Sequence, residues 1–539
     1  MILDTGQIDE HFPKEKYREH QKETLEKIIE AYSNGKDTVI LQAPTGSGKT
    51  ALGTCIANMS DSAYYTTPQV ILQEQISKDF KVPVVKGRNR YRCKAIQGKS
   101  CEEGLCQAKK KYKCEYRETG TCEYYAARDQ AILSKTACLS FSYLMTVREN
   151  LFPKRELLII DEAHNIDQFA LDMVSVTLKE GDVGSIPMHN DIDKYRDWMD
   201  AIAVKLDAEI DMMKQEEESD IVTLGLTEKI VKLTRIQKKL ELAVEDIDSG
   251  NEWVFTHGHR KIQFQPVTSG RFLGNMLYTR GEKLLLMSGT MPKSKIKELD
   301  LENRDYEYIE VPSTFPVKNR PIYYLPVGKM NLDSRRGTIP ALVDVSKKII
   351  SKHYPGKGII HCGSYDIAKE IFWRMTGIVP EFFFIAEEYH VPVTKVVKID
   401  GEDVRVILQH SELREQCLDM LIKSNMPAVL VSVNMTEGID LYDDRCRYQI
   451  VAKVYFPYLG DKRVKKRVDR GEHEWYNTQA LIDLIQSYGR GVRSAEDYCT
   501  MYILDQSFFR LYKKYNRAIP KYFKEAVRLI NSLDSLETQ

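Results

Sequence analysis

Residues Ala43 to Thr50 read A-P-T-G-S-G-K-T, directly after the apolar run T-V-I-L-Q and before a helical segment beginning near Ala51. A glycine-rich turn in that context is a phosphate cradle, because loop and helix N–H groups converge on phosphate oxygens. Gly46 and Gly48 let the backbone approach with no Cβ in the way. Ala43, Pro44, Thr45 and Ser47 complete the loop. Lys49 would neutralise the β- and γ-phosphates of ATP, and Thr50 would ligate Mg²⁺. Ala43 stands where the general pattern has glycine, so a plain turn before a helix is the competing explanation.

A second element decides between them. L-L-I-I-D-E-A-H, Leu157–His164, sets two acids at the end of a buried strand. Asp161 can hold Mg²⁺ through water, and Glu162 is placed to orient and deprotonate an attacking water. Two acids after an apolar run also suit an ordinary helix N-terminus. Together with the P-loop, they mark a nucleotide hydrolase.

The elements that must position these groups follow from short apolar runs ending in small, polar or acidic residues, as strands of a parallel sheet do. In the first half these are Thr38–Leu41, Ala137–Phe141, Leu157–Ile160 and Leu284–Met287. In the second half they are Gly358–Ile360, Ala428–Val431, Gln449–Val454 and Met501–Leu504. Amphipathic segments such as Glu23–Tyr32 and Gln69–Phe80 lie between them. Two doubly wound α/β domains are expected, joined by a proline-bearing hinge near Pro312–Pro326. The first spans 1–84, 139–171 and 268–316, and the second 317–539. A cysteine-rich insert (85–138) and a helical insert (172–267) interrupt the first.

The bulk composition fits this plan. A chain of 539 residues exceeds one hydrophobic core, and 42% hydrophobic with 29% charged residues is a globular profile. The formal net charge of +0 means that phosphate backbones must be held by local patches. One such patch runs from Lys81 to Arg117 and includes Arg88, Arg90, Arg92 and Lys94. No apolar run is long enough to cross a membrane, and no secretion signal opens the chain. An intracellular protein of the cytoplasm, nucleoid or nucleus with reduced thiols is expected.

The D-E-A-H box, S-G-T at Ser288–Thr290, T-E-G-I-D at Thr436–Asp440 and Q-S-Y-G-R-G-V-R at Gln486–Arg493 resemble superfamily 2 helicase motifs. Their order and spacing are similar to the XPD/DinG family of iron–sulfur DNA helicases, over nearly the whole chain. The resemblance implies two RecA-like domains, an arch-like helical insert, and a motor on single-stranded DNA and DNA forks moving 5′-to-3′. A monomer is the family default; protein partners and pathway, DNA repair among them, stay open. Gln486 would orient water or the γ-phosphate. Arg490 and Arg493 would reach across a cleft to the charge developing on the transferred phosphoryl group. Glu437, Gly438 and Asp440 would complete the second domain's nucleotide face. Y-R-E-H-Q resembles the family's adenine-side element, with Gln21 at an adenine edge. Thr66–Thr67 and Ser364–Tyr365 are candidates for backbone contact with the strand, or are turn and cap residues.

Cys93, Cys101, Cys106, Cys114, Cys122 and Cys138 crowd the first insert without a C-x-x-C knuckle. A metal centre accounts for them best. Similarity to the family's cluster ligands points to a 4Fe-4S cluster on Cys93, Cys106, Cys114 and Cys122, with zinc as the alternative. Cys101 could replace Cys106 or Cys114, and Cys138 lies in an apolar strand. Two other functions compete: an RNA helicase of the DEAH group, and a remodelling or scaffold subunit with little unwinding of its own. The cysteine insert argues against the first, and intact Lys49, Glu162 and Arg490 against the second.

Overall fold

The computed structural model describes residues 4–68, 70–108, 112–216, 224–379, 381–410, 412–433 and 441–535. Two sheets organise it. The first has seven parallel strands in the order Tyr306–Glu310, Thr38–Gln42, Gly281–Ser288, Arg155–Asp161, Ala63–Thr67, Thr136–Ser140, Val84–Val85. Thr38–Gln42 is buried along its whole length, which is why T-V-I-L-Q reads as a continuous apolar run and not as an alternation. The eight strands of the second run in the order Val393–Ile399, Glu402–Leu408, Ala428–Ser432, Gly358–His361, Tyr448–Val451, Thr500–Asp505, Ile322–Gly328, Val527–Leu529. Both are RecA-like, with helices between the strands, as the motif order implies.

Two departures from the sequence reading have physical causes. The second sheet is not wholly parallel, because Val393–Ile399 and Glu402–Leu408 form an antiparallel hairpin on its edge. A short turn with Asp400 and Gly401 at positive φ makes that possible. The insert at 172–267 is not purely helical. Its helices Ile192–Glu216 and Leu224–Asp248 stand on a three-stranded antiparallel sheet of Val176–Lys179, Lys261–Pro266 and Trp253–Gly258. The alternation in K-I-Q-F-Q-P, with Ile262 and Phe264 buried, is the period-two signal of a half-buried strand. The strand Thr136–Ser140 belongs to the first sheet and begins within the stretch assigned to the cysteine insert.

Both inserts are tied to their surroundings by charge. Lys99 of the cysteine insert meets Glu228 of the second long helix at 2.5 Å, and Arg235 pairs with Glu102. On the opposite side the helix Lys462–Asp469 of the second domain faces the strand Trp253–Gly258. Its Lys466 meets Glu252 at 3.3 Å, Arg470 pairs with the same carboxylate, and Lys462 lies 4.5 Å over the Phe255 ring. Asp461 caps this helix by accepting from the N–H groups of Arg463 and Val464. The domains also meet through buried Arg467, which forks onto Glu298 at 2.5 and 2.7 Å and stacks 3.8 Å over Trp475. A guanidinium so enclosed needs every one of those partners, since an unpaired buried charge costs several kcal/mol, roughly 3–5. Among the described residues no helix is long and apolar enough to cross a membrane.

Candidate active site

The P-loop leaves the strand Thr38–Gln42 and enters the helix Lys49–Met59 through two left-handed glycines, Gly46 at φ +85° and Gly48 at φ +77°. A Cβ on Gly46 would fall 2.0 Å from the Phe315 ring of the hinge, so only glycine fits. Ser47 closes the turn by donating its hydroxyl to the Pro44 carbonyl at 2.8 Å. Lys49 Nζ donates to the Ala43 carbonyl at 3.2 Å, which folds the ammonium back over the loop.

Gln21 and Arg18 brace the loop from outside. Gln21 Nε2 donates to the Ser47 carbonyl at 2.9 Å, its Oε1 accepts from the Arg18 N–H, and Arg18 Nη1 donates to the Gly46 carbonyl. Both ends of the Gln21 amide are thus committed, one to the loop and the other to the Arg18 backbone. An adenine edge would have to exchange those bonds.

Asp161 ends the strand Arg155–Asp161, and Glu162 follows in the left-handed region at φ 54°. Non-glycine residues are rare there, and strain of this kind clusters at functional sites. It turns Glu162 away from the sheet toward Lys49. Burial and the neighbouring Glu162 raise the Asp161 carboxyl above the usual range, against the pull of Lys49 and Tyr65. Tyr65 donates its hydroxyl to Asp161 Oδ2 at 3.0 Å. Burial pushes Glu162 the same way, but Lys49 above all, with Arg490 and Arg493, outweighs it and holds this carboxyl low. Two adjacent acids are thereby separated into different affinities for a proton.

His164 is buried, and desolvation takes its pKa down to about 4, so the ring is neutral near pH 7. Its Nδ1 lies 2.8 Å from Ser288 Oγ, at the end of the strand Gly281–Ser288. Ser288 Oγ in turn accepts from the Thr290 N–H.

The second domain supplies the opposite wall. The helix His473–Tyr488 stops at Gly489, where the chain turns toward the P-loop. A Cβ on Gly489 would lie 3.2 Å from Thr45 Oγ1, a tight contact, so the bare backbone lets the two domains come this close without displacing Thr45. A cleft of about 460 Å³ results, lined by Thr45, Lys49 and Glu162 on one side and Gln486, Arg490 and Arg493 on the other. His164, Gly289, Thr290 and Tyr522 share it. A larger groove of about 930 Å³ lies around Arg467 and Trp475, but it holds neither the P-loop nor the paired acids, so the chemistry is assigned to the smaller one. Glu437, Gly438 and Asp440 lie outside the described residues.

Residues 348–526 match the family of helicase C-terminal domains, and residues 14–179 match the res subunit of type III restriction enzymes. The ATP-dependent DNA helicase XPD of Sulfolobus acidocaldarius is 23% identical over an alignment covering 93% of this chain and 98% of that protein. The chain is thus similar to XPD-like ATP-dependent helicases along nearly its whole length. A solved XPD helicase shares the fold with a TM-score of 0.62 at 18% identity, over 96% of this chain and 100% of that one. The S. tokodaii Xpd4 structure does so at 0.55 and 16%, over 95% and 100%.

In this XPD-like chain the candidates for nucleic-acid contact divide. Thr66 and Thr67 are the last residues of a sheet strand and fully buried, and Thr66 donates to the Ile159 carbonyl at 2.7 Å. Ser364 caps the helix Tyr365–Thr376. Arg90, Arg92 and Lys94 of the basic patch are exposed, whereas Arg88 packs 4.8 Å over Tyr124 and Lys86 pairs with Glu74. Lys109, Lys110 and Lys111 lie outside the described residues.

The cysteine insert brings five thiols into one neighbourhood. Burial and the nearby Cys122, Cys93 and Cys106 push the Cys101 thiol up to about 12. Cys93 Sγ and Cys106 Sγ both lie within about 3.6 Å of where a Gly104 Cβ would be. Cys114 precedes the short helix Glu115–Glu118, and Tyr112 senses it together with Cys106 and Cys93. The preference for Cys114 over Cys101 therefore does not follow from proximity, since Cys101 packs with Cys122 in the core under this insert. Among the described residues no three His, Cys, Asp or Glu converge as the shell of a single metal ion. The donors are all sulfur, which suits an iron–sulfur cluster, whose ligands stand farther apart than those of a single zinc ion. Cys138 is a buried strand residue remote in character from this set.

The sequence reading missed Tyr65, Phe315 and Tyr522. Tyr65 left no distinct trace, because its strand reads A-Y-Y-T-T and every residue but Ala63 carries a hydroxyl. Phe315 and Tyr522 left none, because each acts across a domain boundary.

Proposed function

We propose that the protein is an ATP-dependent DNA helicase that translocates on single-stranded DNA in the 5′-to-3′ direction and couples hydrolysis to strand separation. One observation carries the reading: Lys49 and Glu162 of one domain face Gln486, Arg490 and Arg493 of the other across a single cleft. Lys49 would hold the β- and γ-phosphates, with Thr50 and Asp161 serving Mg²⁺. Glu162, kept deprotonated by its cationic neighbours, would take the proton of the attacking water. Arg490 and Arg493 would stabilise the transferred phosphoryl group, an effect worth about 10³ to 10⁵ in rate where one arginine supplies it. Because the two halves belong to different domains, nucleotide turnover would open and close the cleft and move a bound strand.

Four of the thiols Cys93, Cys101, Cys106, Cys114 and Cys122 would hold a 4Fe-4S cluster, which supplies a rigid, redox-capable scaffold when bound. The exposed Arg90, Arg92 and Lys94 beside it suit a DNA backbone.

The test is strand separation on duplexes bearing a single-stranded tail at the 5′ or the 3′ end, run beside ATPase assays with single-stranded DNA or RNA. Preference for the 5′ tail and for DNA supports the reading. Hydrolysis in Lys49→Ala or Arg490→Ala equal to that of the unaltered protein overturns it.

A further inference from the structure

Tyr522 is far from every helicase motif in the sequence, yet it reaches the nucleotide cleft from the second domain. It sits in the short helix Lys521–Lys524 and is only 7% exposed. Its hydroxyl donates to the Gly289 carbonyl of the first domain at 3.1 Å. The same turn is anchored by the Lys521 N–H, which donates to Glu310 of the first domain at 2.8 Å.

Gly289 is the middle of the Ser288–Thr290 segment. On one side Ser288 touches His164 at 2.8 Å, and His164 lies 3.4 Å from the Glu162 carboxylate. A Cβ on Gly289 would stand 4.0 Å from Lys49 Nζ, so this residue lies against the floor of the nucleotide site.

From Tyr522 the path continues in the second domain. Its carbonyl accepts from Arg320 Nη1 at 2.7 Å, and the same nitrogen donates to the Tyr488 hydroxyl at 3.1 Å. Tyr488 returns a bond to the Arg320 carbonyl at 2.8 Å, and its ring lies nearly parallel to that of Tyr522. Arg320 is itself fixed by Glu525 at 2.6 Å and the Phe315 carbonyl at 2.9 Å. Tyr488 is the last residue of the helix that presents Gly489 and Arg490.

We propose that Tyr522 is a positioning residue that couples the Ser288–Thr290 segment to the arginine-bearing turn after Tyr488. Each link is a hydrogen bond or a chain neighbour, and the Tyr522 hydroxyl is the atom at which the path crosses between domains. The inference rests on the helicase reading, since it is the strand-dependent step that Tyr522 serves. A tyrosine that only packs would lose little when its hydroxyl is removed.

The test is Tyr522→Phe in the full chain, comparing ATP turnover with and without single-stranded DNA. The ratio of the two should fall about fivefold or more, a loss of coupling of ordinary size. The KM for ATP, the Kd for the strand and the thermal midpoint should stay near those of the unaltered protein. An unchanged ratio, or a lower ratio accompanied by a matching loss of thermal stability, overturns the assignment. If the unaltered protein shows no stimulation by the strand, the helicase reading fails first and this inference falls with it.

Discussion

His164 Nδ1 and Ser288 Oγ meet at 2.8 Å on the floor of the cleft, joining the end of the acid-bearing strand to the end of its neighbour. Since His164 is neutral near pH 7, the contact is an ordinary hydrogen bond of about 1 kcal/mol, and its use is geometric. Ser288→Ala should therefore leave ATP turnover within about threefold of the original while strand separation per ATP falls about tenfold, a coupling of 1–3 kcal/mol. Parallel measurement of phosphate release and duplex unwinding checks this.

Gly489 makes room for Thr45, and no φ outside the helical region is involved. Gly489→Val should keep the fold but hold the domains apart. A displacement of about 1 Å at a reacting centre costs about 10² in rate, so kcat should fall by that order with the thermal midpoint preserved. Gly489→Ala should fall between the two in steady-state assays.

The local motifs were legible because each is written in consecutive residues. A strand, a glycine turn and a lysine specify their own geometry, and so do two acids ending an apolar run. The alternation of strands with helices in each half of the chain also followed from short apolar runs. What escaped were contacts between distant parts of the chain, such as Gly46 with Phe315 and Gly289 with Tyr522. The hairpin Val393–Leu408 escaped for another reason: V-T-K-V-V-K-I alternates poorly, as an exposed edge strand does. In the cysteine insert the sequence could count thiols but not rank them, since spacing leaves Cys101 and Cys114 equivalent.

Proximity ranks them differently. Cys101 packs with Cys122 in the core, with Cys93 and Cys106 against the same surface, whereas Cys114 is equally buried but outside that cluster. Serine at Cys93, Cys101, Cys106 or Cys122 should drop iron per chain to below about half in anaerobically purified protein, whereas Cys114→Ser should retain it. Colorimetric iron analysis and visible absorption decide, and zinc in colourless protein would reverse the choice of metal.

Acid should loosen the second domain before it protonates most carboxylates. Burial lowers both His353 and His361 to about 4, and they bond to Tyr502 at 2.9 Å and Gln449 at 3.1 Å. Unfolded, each takes a proton below about 6.5. The unfolded chain therefore binds more protons between about 6.5 and 4, and stability falls as pH drops through that window. At pH 5 each histidine accounts for about 2 kcal/mol. Thermal midpoints from pH 7 to 5 should decline, with a shallower slope in His361→Gln.

The charge contacts that join the arch-like insert to the second domain set how force passes through the molecule. Glu252 receives both Lys466 and Arg470, so a hinge motion between the domains either drags the insert along or pulls these groups apart. Exposed pairs of this kind are cheap to break and are weakened by dissolved ions. In the proposed motor the insert would behave as a slipping clutch whose friction is set by ionic strength, so that salt would tune its stroke as well as its hold on a polyanion.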